Sequence, residues 1–263
     1  MLVPFSSRGP LRKHWHPVAL SEDVGEKPLA IELIRDRIVL WRGASGHAVA
    51  APDVCTHRPS DLSPGGVRDG CLVCPHHGRA FDETGRCVAA PLAEEVDETP
   101  PLGMLQCEER HGLVWVCLGD PAGTVPDPLA DGGAACVTAA LGTWKTPAPR
   151  IVESLLTHGL ADGTTQGSAA PFTYLRTVTT GSGDAQVLVT AGPKGATDSF
   201  VFVAAVAADD ATATAALEAE VAALDAVKAE VTAVTGMYDL ADDVAGDDAL
   251  AQWQNSLRAA LSA

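Results

Sequence analysis

The residues of this chain with the most chemical meaning fall in two short clusters. Cys55-Thr56-His57 is followed, after 16 residues, by Cys74-Pro75-His76-His77. Two thiols and two imidazoles suit an asymmetric [2Fe–2S] centre, in which one iron takes two thiolates and the other two imidazoles. Each loop supplies one ligand of each type, so the two loops must converge. Imidazoles in place of thiolates remove negative charge and raise the potential well above that of an all-cysteine centre. The second ring nitrogen of each ligand histidine stays available for a proton or for a partner. The predicted ligands are Cys55, His57, Cys74 and His77, and the predicted work is electron transfer. A zinc site made from Cys55, Cys71, Cys74 and one histidine is the competing reading, although Cys-x-His is not a usual zinc spacing. His76 is a further donor, but His77 gives the Cys-x-x-His spacing. Cys71, Cys87, Cys107, Cys117 and Cys136 are expected to be buried small hydrophobes.

Such loops need a scaffold, and residues 1–120 read as β-rich. Residues 28–34, 37–41 and 47–51 are short apolar or alternating runs, punctuated by Gly43, Gly46, Pro52 and Asp53. Residues 71–74 form a short buried strand leading into the second loop, and 82–85 a hairpin turn between Phe81 and Cys87. Residues 112–119 are the clearest strand. This spacing predicts a small antiparallel barrel or sandwich. Prolines and glycines crowd residues 120–150 and place a linker at 121–148. Strands follow at 172–178, 186–190 and 200–206. Leu217, Val221, Leu224, Val227, Val231 and Val234 recur at helical spacing, with Gly236 as a stop. A last helix carries Leu250, Trp253, Leu257 and Leu261 on one face, with Asp247 and Asp248 at its start. The predicted class is α+β: an all-β domain at 12–120, the linker, and a second α+β domain at 149–263.

The 263 residues are 46% hydrophobic and only 5% aromatic, so alanine, valine and leucine carry most of the packing. The net charge of −16 argues against a nucleic-acid partner. Residues 151–263 hold 15 acids against four bases, whereas the cluster region 53–90 is nearly neutral. Seven cysteines in a chain of this size do not read as a disulfide framework. No apolar run approaches the length of a membrane span, and the N-terminus lacks the order of a signal peptide, so the expected location is cytoplasmic. Arg58, Arg79 and Arg86 are the basic residues placed to dock an acidic redox partner.

The stretch from Trp15 to Gly119 resembles the N-terminal domain of the Rieske non-haem iron oxygenases, the aromatic-ring hydroxylating and O-demethylating enzymes. The matching pieces are residues 15–19, 38–42, 55–59 and 69–88, within about 105 residues of the chain. Respiratory Rieske proteins carry one additional cysteine per cluster loop, joined as a disulfide. Ser60 and His76 stand at those places, so the resemblance is to the oxygenase and ferredoxin branch. It implies a trimer with a second, helix-grip domain holding a mononuclear iron on two histidines and one carboxylate. It also implies a ferredoxin or flavin reductase as donor, and electrons passing from the cluster of one subunit to the iron of the next.

The iron motif of that family, Asp-x-x-His-x4-His after a lead like residues 151–154, is not matched. Its places fall on Thr157, Leu160 and Thr165. A two-residue deletion brings His158 to the first histidine place but Gly163 to the second. His158 is the sole histidine after His111, and a two-histidine triad needs two. Residues 149–263 are also few for the family's second domain, which reads as a shortened, degenerate version. Three readings follow. The chain is a [2Fe–2S] component of an oxygenase system, relaying electrons from a reductase or ferredoxin to a mononuclear iron in a paralogous partner subunit. Or it is a stand-alone hydroxylase or demethylase with an iron on His158 and carboxylates such as Glu153 and Asp162. Or it is a structural or redox-sensing subunit.

Overall fold

Short antiparallel hairpins build the first half of the molecule. A computed structural model describes residues 9–92, 99–126, 135–158, 164–169, 171–233, 238, 240 and 249–262. Strands β1 (His16–Leu20), β2 (Leu29–Leu33), β3 (Asp36–Arg42) and β4 (Ala48–Pro52) lead to the cluster-bearing strands. These are β5 (Gly66–Arg68), β6 (Cys71–Val73), β7 (Ala80–Phe81) and β8 (Cys87–Ala89), followed by β9 (Gln106–Arg110) and β10 (Leu113–Cys117). They form three sheets, in the orders β1-β10-β9, β2-β3-β4 and β5-β6-β7-β8.

The second half comprises β11 (Ala135–Trp144), α1 (Ala148–His158), β12 (Thr164–Ala169), β13 (Thr173–Thr180), β14 (Gly183–Pro193), β15 (Ser199–Ala207), α2 (Asp210–Ala233) and α3 (Ala249–Ser262). Its five strands make one antiparallel sheet in the order β11-β15-β14-β13-β12. The predicted α+β class, with an all-β first half, is the observed one. Residues 200–206 read as a continuous apolar run because both faces of β15 are covered. Val201, Val203 and Ala205 enter the main core, while Phe202, Ala204 and Val206 meet Trp15, Leu113 and Trp115 of the first half. The main core is continuous through both halves, from Val18, Ile31 and Ile34 to Val187, Trp253 and Leu257.

Several elements differ from expectation for identifiable reasons. Residues 135–144, inside the span expected as linker, form β11 and pair with β15. Their Ala- and Thr-rich sequence carries little strand signal, and only the pairing recruits them. Helix α1 starts within the proline run, because a proline in a first helical turn lacks only an N–H that would have no intrahelical partner. Strand β9 is polar in sequence, yet Glu109 earns its place by bonding the Ala48 N–H at 2.9 Å, Arg42 at 2.6 Å and the Ser21 hydroxyl. On α2 the face turned inward is Ala213, Ala216, Glu220, Leu224 and Val231, with Leu217 and Val221 only half-buried. Glu220 is fully buried at 2.7 Å from Arg176 of β13. Burial raises its carboxyl pKa, and Arg176 opposes that shift. The side chain of Val227, and Val234, Gly236, Asp247 and Asp248, lie outside the described residues. Cys117 is buried as expected, but Cys71, Cys87 and Cys107 are half-buried and Cys136 is exposed. Cys136 lies on β11 at the sheet's edge.

Candidate metal-cluster site

Two loops of like construction project from the first half. In the first, the Cys55 N–H donates to the Ser60 carbonyl at 2.9 Å. In the second, the Cys74 N–H donates to the Arg79 carbonyl at 2.8 Å. Each loop is thus closed by its cysteine onto the residue five positions later. Gly78, directly after His77, has φ +68, a left-handed conformation that costs glycine nothing. Gly65 lies where a Cβ would meet the Val73 carbonyl oxygen at 2.0 Å, so glycine lets the end of the first loop lie against β6.

This geometry brings the four predicted residues together as two pairs. Cys55 and Cys74 are buried at 4% and 2% exposure, in a small core with Trp41, Leu62, Leu72 and Phe81. The Cys74 thiol lies near enough to Cys55 to act on its ionisation. The His57 and His77 rings stand edge to face at 5.1 Å and are only partly covered. An asymmetric two-iron centre needs its two thiols paired on one side and its two imidazoles on the other; that separation is present here, and the donor set fits that group. Burial raises the Cys55 thiol pKa, and the backbone N–H groups of His57 and Arg58 act against it. The His57 imidazole is held below its usual range by loss of solvent, then by Arg79, His77 and Arg58. Among the described residues no three His, Cys, Asp or Glu side chains gather round one point, as a single metal ion would need. Cys71, which the zinc reading would use, turns its thiol to the Asp69 carbonyl at 3.8 Å.

Three supports escaped sequence reasoning. Asp53, read there as strand punctuation, is buried. Its carboxylate accepts from the Leu62 and Ser63 N–H groups at 2.8 and 2.7 Å and from the Ser63 hydroxyl at 2.7 Å, tying down the base of the first loop. Ser60 and His76 share a hydrogen bond of 2.7 Å that links the two loops. Its signal was present, since the respiratory branch carries its disulfide at those places. Arg79 is not the surface cation expected of a docking residue. It is 7% exposed and donates to the Thr99 hydroxyl, whereas Arg58 and Arg86 are exposed.

A cleft of about 250 Å³ opens beside the imidazoles, lined by His57, Arg58, His77, Arg79, Ala90 and Leu92. Val54, Val88 and Leu92 are the exposed large hydrophobics among the described residues, and all belong to the cluster-bearing region. In the second half, Arg150, Glu153, Ser154 and Thr157 form a polar stripe on α1 that lines a cavity of about 400 Å³. The His158 side chain, Leu160, Asp162, Gly163 and the Thr165 side chain lie outside the described residues. No helix among those described is long and apolar enough to cross a membrane.

Residues 14–100 match the Rieske [2Fe-2S] domain. The chain is 36% identical over 106 residues to a vanillate O-demethylase oxygenase subunit of a Pseudomonas species, covering 40% of this chain and 30% of that one. It is 35% identical over 130 residues to the oxygenase component of dicamba O-demethylase from Stenotrophomonas maltophilia, covering 47% and 37%. The match thus spans about a third of the length of these relatives. The structure of Pseudomonas putida CBB5 NdmA superposes with a TM-score of 0.75 over 95% of this chain and 89% of that one, at 19% identity, a likeness of fold.

Proposed function

We propose a function that proceeds from the chain's membership, through its Rieske [2Fe–2S] domain, in the Rieske oxygenase family. Cys55, His57, Cys74 and His77 hold the cluster, and the chain relays electrons from a ferredoxin or flavin reductase to a mononuclear iron in a paralogous oxygenase subunit. The carrying observation is the asymmetry of the pair of loops: buried thiols, outward imidazoles. When bound, the cluster supplies a one-electron carrier. Cys55 and Cys74 anchor it in a dry core, where the N–H groups of His57 and Arg58 face the Cys55 sulfur and offset thiolate charge. His57 and His77 form the edge nearest to solvent, so the exit path runs through them. Their outer nitrogens can donate a hydrogen bond to the acceptor subunit and exchange a proton with it. Exposed Arg58 and Leu92, beside the imidazole cleft, supply charge and apolar surface for that contact.

The acceptor is assigned to another subunit because His158 is the one histidine after His111 in this chain. Oligomeric assembly, a trimer by resemblance, is part of the proposal. Iron and sulfide analysis tests it first. Two irons and two sulfides per chain, with the EPR spectrum of a reduced Rieske centre, are expected. A third iron overturns the relay in favour of an oxygenase with its own iron, for which the polar stripe of α1 bearing Glu153 is the place to look. Mixing the reduced chain with a companion oxygenase subunit should then oxidise the cluster, and failure to do so with a competent companion counts against the relay.

A further inference from the structure

Among the described residues, three hairpins turn on two consecutive residues with positive φ. The β5–β6 turn uses Asp69 and Gly70 (φ +52 and +73), and the β9–β10 turn uses His111 and Gly112 (φ +52 and +66). Both place glycine second, as such turns favour. The β2–β3 turn adopts the same conformation with Ile34 and Arg35, at φ +51 and +68. A β-branched residue there is an outlier, and strain of this kind persists only where the surroundings enforce it. The enforcing contacts come from the second half. The Ile34 N–H donates to the Pro193 carbonyl at 2.9 Å and the Arg35 N–H to the Lys194 carbonyl at 2.7 Å. The Ile34 side chain is fully buried in the common core.

The turn brings two cationic residues, Arg35 and Lys194, to the lining of one cavity. Arg35 is exposed and lies across Gly195, where an added Cβ would sit 3.7 Å from its Cγ and Nε. Lys194 Nζ lies 5.1 Å from the Phe200 ring centroid. Among the described residues no carboxylate is ion-paired with either, on a chain of net charge −16. Below them, between the halves, a cavity of about 690 Å³ is floored by Leu29, Ile31, Phe200 and Phe202. A bulge in β11 between Ala140 and Thr143 helps to shape it. Asp23 and Glu32 also reach the lining. Glu32 stands opposite Arg37, which is itself bound to Asp53 and Asp61.

We propose that this junction cavity binds a small amphipathic anion, a flat apolar body on Phe200 and Phe202 with its carboxylate between Arg35 and Lys194. Volume, apolar floor and few convergent polar groups are those of a ligand pocket at a domain interface. An anion held by both cations would bridge the β2–β3 turn of the first half and the β14–β15 turn of the second. The proposal is independent of the cluster reading.

Calorimetric titration of the full chain with 1-naphthoate tests it. One saturable site is expected, weakened at least about tenfold in Lys194→Ala and in Arg35→Gly, and about tenfold weaker for the neutral 1-naphthalenemethanol. Naphthoate should raise the melting temperature of the wild type and leave that of Lys194→Ala almost unmoved. Arg35→Gly keeps the turn, since glycine suits its φ, and guards against a variant that merely fails to fold. Absence of saturable binding, equal binding of the alcohol, or binding that both substitutions leave unchanged overturns the proposal.

Discussion

The tip that carries Cys55, His57, Cys74 and His77 and the junction where β2–β3 meets β14–β15 are built in opposite ways. The tip is local. Each of its loops closes on itself within five residues, and its small core draws on residues 39–102. The junction is non-local: Ile34 bonds to Pro193 and His16 stacks on Phe172 at 6.0 Å. The tip keeps its unusual backbone at glycine and at Asp69, a residue type that tolerates it, while the junction holds Ile34 and Arg35 in a conformation that suits neither. Chemistry that needs defined ligand positions sits on turns that form with little help. Strain is carried where two large surfaces can hold it.

Four experiments test this contrast. The largest effect is expected from Cys74→Ser. Iron and sulfide should fall from two each to none, with loss of the EPR signal, while far-ultraviolet circular dichroism of the strand-rich fold persists. Collapse of the whole fold would show that the tip is not local. Trp253→Ala probes the main core that the junction belongs to. Its ring is fully buried and its Nε1 donates to the Pro171 carbonyl at 3.0 Å, so denaturant unfolding should show a loss of about 3–5 kcal/mol. The EPR spectrum should not change; if it does, the two regions are coupled.

Third, His16 makes the junction sensitive to acid. It is fully buried, its Nε2 is 2.8 Å from the Leu11 carbonyl, and burial lowers its pKa from 6.5 to about 4. The folded state holds the neutral ring, whereas the unfolded chain takes up a proton below pH 6.5. The contribution is therefore complete above that pH and is lost as pH falls toward 4, by about 3 kcal/mol. In His16→Gln the stability curve over that window should be flatter than in the wild type; parallel curves would refute the assignment. Smallest is Arg35→Gly, expected to stabilise by about 1 kcal/mol in denaturant unfolding by relieving the left-handed strain. A loss of stability would mean that the arginine side chain, and not the turn, holds the junction.

What was legible beforehand follows the same division. The two cysteine–histidine clusters that the loops bring together, the hairpin at 82–85, the strand at 112–119 and the strands at 186–190 and 200–206 each carried a local signal. Strand β11 had none, and proline and glycine on both sides made it look like linker. Glu220 was hidden because a helical stripe of larger apolar residues beside it suggested a different inward face. Arg79 resembled its exposed neighbours until Thr99 closed over it.

Taken alone, the sequence determined the type of centre, through two residue types at a set spacing, and the absence of a second histidine after His111. Those are matters of composition and short range, and no packing can alter them. Tertiary structure alone decided that the thiols face inward and the imidazoles outward, that Asp53 holds the first loop, and that Arg35 and Lys194 face one cavity. Each of these depends on segments distant in the chain meeting at one place, and the apolar burial that drives such meetings is non-directional.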